Sequence, residues 1–153
     1  MMVFAHPDEL EGAVGTRLGE SSWHEVPQHR IDLFAEATGD RQWIHRDCPE
    51  AHDGPFGGPV AHGYLTVALL PELLAEVVRV DGADMLLNGG MDRLRFHAPV
   101  RAGARVRAVA DLASARTRAR GFTEIVLAVT LEIEGSTRSA LTAQVRTLVH
   151  SRS

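Results

Sequence analysis

GYLTVALLPELLAEVV, residues 63–78, is the stretch that decides the architecture. Wound at 3.6 residues per turn, Leu65, Val67, Ala68, Leu69, Leu70, Leu73, Leu74, Val77 and Val78 cover nearly every face of a helix. A helix that is apolar all round has no side to turn to water, so it must lie inside the protein. Pro71 falls within it and predicts a kink or one missing hydrogen bond. Thr66, Glu72 and Glu76 interrupt the run, which is too short and too charged for a membrane span.

The cover for this helix has to come from the rest of the chain. On its C-terminal side the apolar period changes to two. Residues 105–113 place Val106, Ala108, Ala110 and Leu112 on one face; residues 124–134 place Ile125, Leu127, Val129, Leu131 and Ile133 there. Residues 138–149 do the same with Leu141, Ala143, Val145, Thr147 and Val149. Residues 85–88 and 91–97 read as two further short strands. Strict alternation means antiparallel strands with one wet side. On the N-terminal side, residues 18–26 read as a weak first strand. Pro27 can open a helix, and Ile31, Phe34, Ala35 and Thr38 mark one face of it before Gly39 stops it. The economical packing is α+β: a curved antiparallel sheet wrapped around the single apolar helix, in one domain over residues 1–153.

The bulk numbers narrow the function. The 153 residues carry a formal net charge of -4, which is no footprint for nucleic acid. All sixteen basic residues are arginine, so Schiff-base lysine chemistry is excluded. The lone cysteine, Cys48, allows no internal disulfide, which suits a reducing cytoplasm. The start, MMVFAHPDELEG, lacks the basic and apolar runs of a signal peptide, and no membrane association is expected.

Residues 40–58 form a polar excursion rich in Gly, Pro and Asp, with a capped single turn expected at Asp47-Cys48-Pro49-Glu50. It leads straight into the buried helix. Within it Asp40 and His45 stand five residues apart, and a carboxylate with an imidazole can move the proton of one water in either direction. Spacing alone equally allows a helix-capping acid and an ordinary loop histidine. Gly63 opens the buried helix, where unpaired N–H groups meet the positive end of the helix dipole. A glycine there lets a developing oxyanion approach the backbone. A tight loop-to-helix turn would ask for the same residue.

Three segments together resemble the MaoC-like, (R)-specific enoyl-CoA hydratase family, on its nodulation-protein-N-like branch. They are Thr38-Gly39-Asp40 with His45, then Pro59-Val60-Ala61-His62-Gly63, then Asn88 to Phe96 followed by Pro99-Val100 and Gly103. The resemblance runs over about residues 12–149. It implies a hot-dog fold, no cofactor, and an acyl thioester substrate carried on coenzyme A or acyl carrier protein. It makes Asp40 and His45 the pair that activates water, and the Gly63 N–H the oxyanion donor. One such sheet leaves strand edges open, so a homodimer is expected, and the resemblance implies a site at the subunit boundary. Trp43, His62 and Tyr64 flank these residues and are the candidates for substrate contact. For Trp43 the alternative is core packing, and for His62 a structural place in the turn before the helix.

Two other activities fit the same fold, a thioesterase and a non-catalytic acyl-binding subunit. Retention of both Asp40 and His45 argues against the second, and the spacing from His45 to Gly63 against the first. His45, His52 and His62 match no standard zinc spacing, so no metal is expected. Arg101, Arg105, Arg107, Arg116, Arg118 and Arg120 form a basic run. It is either a solvated face or an attraction for coenzyme A phosphates or an acidic carrier.

Overall fold

The computed structural model describes residues 1–151. The chain opens with β1 (Met2–Phe4), two 3₁₀ turns, β2 (Arg17–Glu20) and β3 (His24–Glu25). Helix α1 (Gln28–Thr38) leads to a 3₁₀ turn (Trp43–His45) and the short α2 (Pro49–His52). Next come α3 (Gly63–Ala68), α4 (Leu70–Ala75) and β4 (Val78–Val80). Four long strands finish the chain: β5 (Met85–Phe96), β6 (Arg105–Thr117), β7 (Phe122–Ile133) and β8 (Leu141–His150).

Among the described residues, six strands make one antiparallel sheet in the order β2-β6-β7-β8-β5, with β3 also paired to β6. Its inner face carries the side chains that alternation put there. Val106, Ala108, Ala110 and Leu112 of β6, Ile125, Leu127, Val129 and Leu131 of β7, and Leu141, Ala143, Val145 and Val149 of β8 are buried. They share one core with Leu65, Leu69, Leu70, Leu73, Leu74 and Val77 from the helical segment. This is the α+β hot-dog arrangement, a sheet packed around a central apolar helix. Each fully buried leucine stabilises the fold by about 1.5–3 kcal/mol, and truncating one such as Leu73 to alanine would cost about 2–5 kcal/mol. No helix among the described residues is long and apolar enough to cross a membrane.

The central helix departs from expectation at two places. It is two pieces that meet at Leu69, because Pro71 has no N–H to continue the ladder. Leu69 still donates to the Leu65 carbonyl and Leu73 to the Leu69 carbonyl, so the axis carries on. It also stops at Ala75 instead of running to residue 78. Val78–Val80 is drawn into a parallel pair with Met2–Phe4, a strand that the sequence reading did not foresee.

The stretch 85–97, read as two strands, is one strand with irregularities at Asn88/Gly90 and Asp92/Arg95. The Gly89-Gly90 pair, which looks like a break, is absorbed as a bulge against β8. Residues 18–26 split into β2 and β3 around Ser21, whose N–H and Oγ both bond the backbone of Ala108. A further clasp joins β3 to the end of α4. The Glu76 carboxylate accepts from the Ser22 N–H at 2.8 Å and its hydroxyl at 2.7 Å, and contacts His24 Nε2 at 2.5 Å.

Half of the arginine run is ion-paired on a solvated face. Arg105 meets Glu134, Arg107 meets Glu20 and Glu132 and lies over the Trp23 ring, and Arg118 meets Glu124.

Candidate active site

Helix α1 ends where Gly39 takes a left-handed φ of 80° and donates its N–H to the Ala35 carbonyl. That turn releases the chain toward Asp40. The 3₁₀ turn over Trp43–His45 then reverses direction and sends the His45 ring inward. Its carbonyl is held by Gln28 Nε2 at 2.9 Å, so α1 supports the turn from below.

The partner of this turn is the segment 59–61, which is pinned on both sides. Val60 N–H bonds the Ile44 carbonyl at 2.9 Å, and Ala61 N–H bonds the Val100 carbonyl at 2.7 Å. Ala102 N–H bonds the Pro59 carbonyl at 3.0 Å. The free face of Val60 presents its carbonyl to His45 Nδ1 at 2.7 Å. That bond places the hydrogen on Nδ1 and leaves a lone pair on Nε2.

His45 is buried, 7% exposed, while the Asp40 side chain is 52% exposed. Their facing atoms, His45 Nε2 and Asp40 Oδ2, lie 4.0 Å apart. Both are acceptors when the imidazole is neutral, so they do not bond each other. Burial pushes the His45 pKa below the ordinary 6.5, with the neighbouring His62 ring acting in the same direction. The Val60 carbonyl and the Asp40 carboxylate oppose these effects without reversing them. The His45 ring is thereby held toward its neutral form.

Gly63 is the first residue of α3, next to His62 in the chain. Among the described residues the N–H groups of Gly63, Tyr64 and Leu65 bond no acceptor, and the first N–H in the helical ladder is that of Thr66, to the His62 carbonyl. The Phe96 ring from the end of β5 lies over Gly63. A Cβ built there would sit 3.1 Å from Phe96 Cε1 and Cζ. Phe96 was not singled out in the sequence. Its only signal is its place in the 88–96 segment, which reads as an ordinary strand.

The structure thus brings Asp40, His45 and His62 together, with Gly63 following His62 at the start of α3. Tyr64 is 71% exposed beside the helix start, edge-on to Phe96 at 6.2 Å. Trp43 is part-exposed on the same 3₁₀ turn, outside the buried core, with its ring against Gly54. His62 differs from both, being buried behind His45. His52 pairs with Asp47 away from the cluster, and the cap of α2 is Cys48 without a side-chain bond rather than Asp47.

Asp40, His45 and His62 each offer a possible metal-ligating atom, all within 4.8 Å of one another. The two imidazoles are stacked, 3.8 Å between centroids and 24° between planes. Each ring bonds a backbone carbonyl through one nitrogen, His45 Nδ1 to Val60 and His62 Nε2 to Asp40.

The model of the MaoC like domain matches residues 9–135. A 3-hydroxyacyl-thioester dehydratase Z of Mycobacterium tuberculosis is 40% identical over 144 residues, covering 94% of this chain and 95% of the relative. A nodulation protein N of Rhizobium leguminosarum bv. viciae is 41% identical, covering 92% and 89%. The solved structure of the unliganded R-hydratase PhaJ1 from Pseudomonas aeruginosa superposes with a TM-score of 0.72. It is 22% identical and covers 97% of this chain and 88% of its own.

Proposed function

The chain belongs to the MaoC-like domain family, and on that premise we propose that it is a hydratase/dehydratase interconverting 2-enoyl and (R)-3-hydroxyacyl thioesters. The observation that carries this reading is the 4.0 Å gap between two acceptors, His45 Nε2 and Asp40 Oδ2. A water molecule has two O–H donors, one for each. Two hydrogen bonds of about 2.8 Å across that gap subtend about 90°, near the angle between the O–H bonds of water.

In the hydration direction His45 Nε2 removes one proton from this water. The oxygen, keeping its other hydrogen, bonds to the β-carbon of the enoyl thioester. The π electrons move to the thioester oxygen, and the enolate charge is met by the Gly63 N–H at the helix start. The proton then returns from the Asp40–His45 pair to the α-carbon. Dehydration is the same path reversed. Tyr64 and the Phe96 ring meet edge-on beside the helix start and are exposed, as is Trp43 on the His45 turn, and these are the rings proposed to contact the acyl chain. The carrier is proposed to be coenzyme A or acyl carrier protein in the cytoplasm, and no step calls for a cofactor. No observation favours the thioesterase or non-catalytic readings.

The protein is proposed to act as a homodimer. β5 pairs with β8 on one side, and its other edge is open with Met85, Leu86, Leu87 and Phe96 exposed. An exposed apolar edge strand is a liability that a second copy would cover. The test of function is to mix the protein with a short trans-2-enoyl-CoA and follow loss of the conjugated-enoyl absorbance. No loss across a panel of chain lengths would reject the hydratase reading. An active monomer by light scattering would reject the dimer.

A further inference from the structure

His62 sits in a place that packing alone does not explain. It is 2% exposed and lies between two rings, Phe34 at 4.9 Å and 56°, and His45 at 3.8 Å and 24°. Its Nε2–H donates to the backbone carbonyl of Asp40 at 2.9 Å, 22 residues away in the chain. The other ring nitrogen, Nδ1, is buried with no hydrogen-bond partner. A proton there would be a buried donor without an acceptor, so the ring carries its hydrogen on Nε2 alone. A leucine or phenylalanine would fill this space without leaving a polar atom unpaired, and would serve a purely structural role better.

We propose that His62 is a positioning residue: its Nε2–H edge fixes the backbone that presents Asp40, while its ring face fixes the plane of His45. One buried side chain thereby sets the gap between the catalytic groups. Elsewhere the Asp40 loop is tied by the Arg41–Glu36 ion pair and by the Gln42 carbonyl, which accepts from the His45 N–H. Asp40 N–H reaches Thr38 Oγ1, and Gln42 N–H reaches Asp40 Oδ1, each at 3.4 Å on an exposed surface. The groups facing His45 are the Asp40 carboxylate, the His62 ring and the Val60 carbonyl. The His62 ring also covers one face of His45, and the burial to which it contributes opposes protonation of that imidazole. Being buried, His62 acts through the pair and does not touch substrate.

The part of this inference concerning turnover rests on the hydratase reading, so the test has two independent readouts. His62→Leu removes donor and ring. His62→Gln loses the ring but keeps an N–H able to reach the Asp40 carbonyl. Each is made alone and in an Asp40→Asn background. With an enoyl-CoA, His62→Leu is expected to lower kcat by about tenfold or more with KM changed less, and His62→Gln to recover part of the loss. In the Asp40→Asn background the same change should cost little more, because it acts through Asp40. A folded His62→Leu with wild-type kcat, or losses that simply multiply, would overturn the clamp on Asp40.

The second readout is an NMR titration of the His45 imidazole, which needs no turnover. Its midpoint should move up toward 6.5 in His62→Gln, since the smaller polar side chain lets water reach a ring that burial holds below that value. An unmoved midpoint would overturn the ring contact. If the leucine variant does not fold, the glutamine variant decides both points. If the wild type hydrates no enoyl thioester, the proposed function fails while the titration still judges His62.

Discussion

Replacing Gly63 with alanine separates the oxyanion assignment from the fold. The new methyl would lie 3.1 Å from Phe96 Cε1 and Cζ, tighter than ordinary contact by a few tenths of an ångström. Phe96 is half exposed at the end of an edge strand, so its ring can give way. Gly63 lies in helix, where alanine is favoured over glycine by up to about 1 kcal/mol. The two effects oppose, and the melting temperature is expected to stay within about 4 °C of wild type for a chain of this size. Catalysis should not be spared. The methyl and the displaced ring both intrude on the approach to the Gly63 N–H. Losing one oxyanion donor typically costs about 10²–10³ in rate, or about 2.7–4 kcal/mol. The assay is enoyl-CoA hydration followed by absorbance, beside a circular-dichroism melt, with Gly63→Val as the more severe variant. A folded Gly63→Ala with kcat within about threefold of wild type would refute the assignment.

The remaining expectations concern charge. Asp40→Asn and His45→Ala should each lower kcat by about 10² or more, and the double variant should fall little below the worse single one. Full activity in either folded single variant removes it from the mechanism, and multiplicative losses refute the shared water. Because burial lowers the His45 pKa, the acid limb of kcat/KM should have its midpoint below 6.5; a midpoint at or above that value contradicts a buried neutral base. The Ser22 hydroxyl and N–H, then His24, hold the Glu76 pKa down from 4.5 to about 2. A depressed carboxylate stabilises the fold above its unfolded pKa, so this contribution should be lost as pH falls from about 4.5 to about 2. Melting curves of wild type and Glu76→Gln should converge over that window, and parallel curves would mean that the clasp is not coupled to folding.

The fold was legible wherever one periodicity ran long enough against one neighbour. The inward face of β6 was read residue for residue because Val106, Ala108, Ala110 and Leu112 alternate without a break. What failed depended on partners far away in sequence. Val78–Val80 continues an apolar helical pattern, and nothing local announces that Met2–Phe4 will pair with it. Gly89-Gly90 is a break by composition, yet the uninterrupted ladder of β8 carries β5 through it. Local propensity yields where a neighbouring strand satisfies the backbone.

The site divides along the same line. Asp40, His45 and Gly63 carry residue types whose chemistry can be argued before any geometry, and the fold brings the first two to 4.0 Å. The Val60 carbonyl, Gln28 and Phe96 could not be found that way, since a carbonyl has no residue signature and Phe96 reads as strand. His62 shows why type alone is not enough. The same imidazole could touch substrate, hold a metal or fill a turn, and the choice rests on where each of its two nitrogens points. One edge reaches the Asp40 backbone, one face lies on His45, and Nδ1 is left with no partner. A buried polar atom left unpaired costs stability, and such a cost is borne where the rest of the side chain is under a functional demand. That demand is a gap of 4.0 Å between an exposed carboxylate on a loop and a buried imidazole on a 3₁₀ turn. The 3₁₀ turn is held by Val60 and Gln28, and the loop that carries Asp40 is tied to the site by His62. Only a side chain bonded to one and stacked on the other can keep the two acceptors at the distance that one water spans.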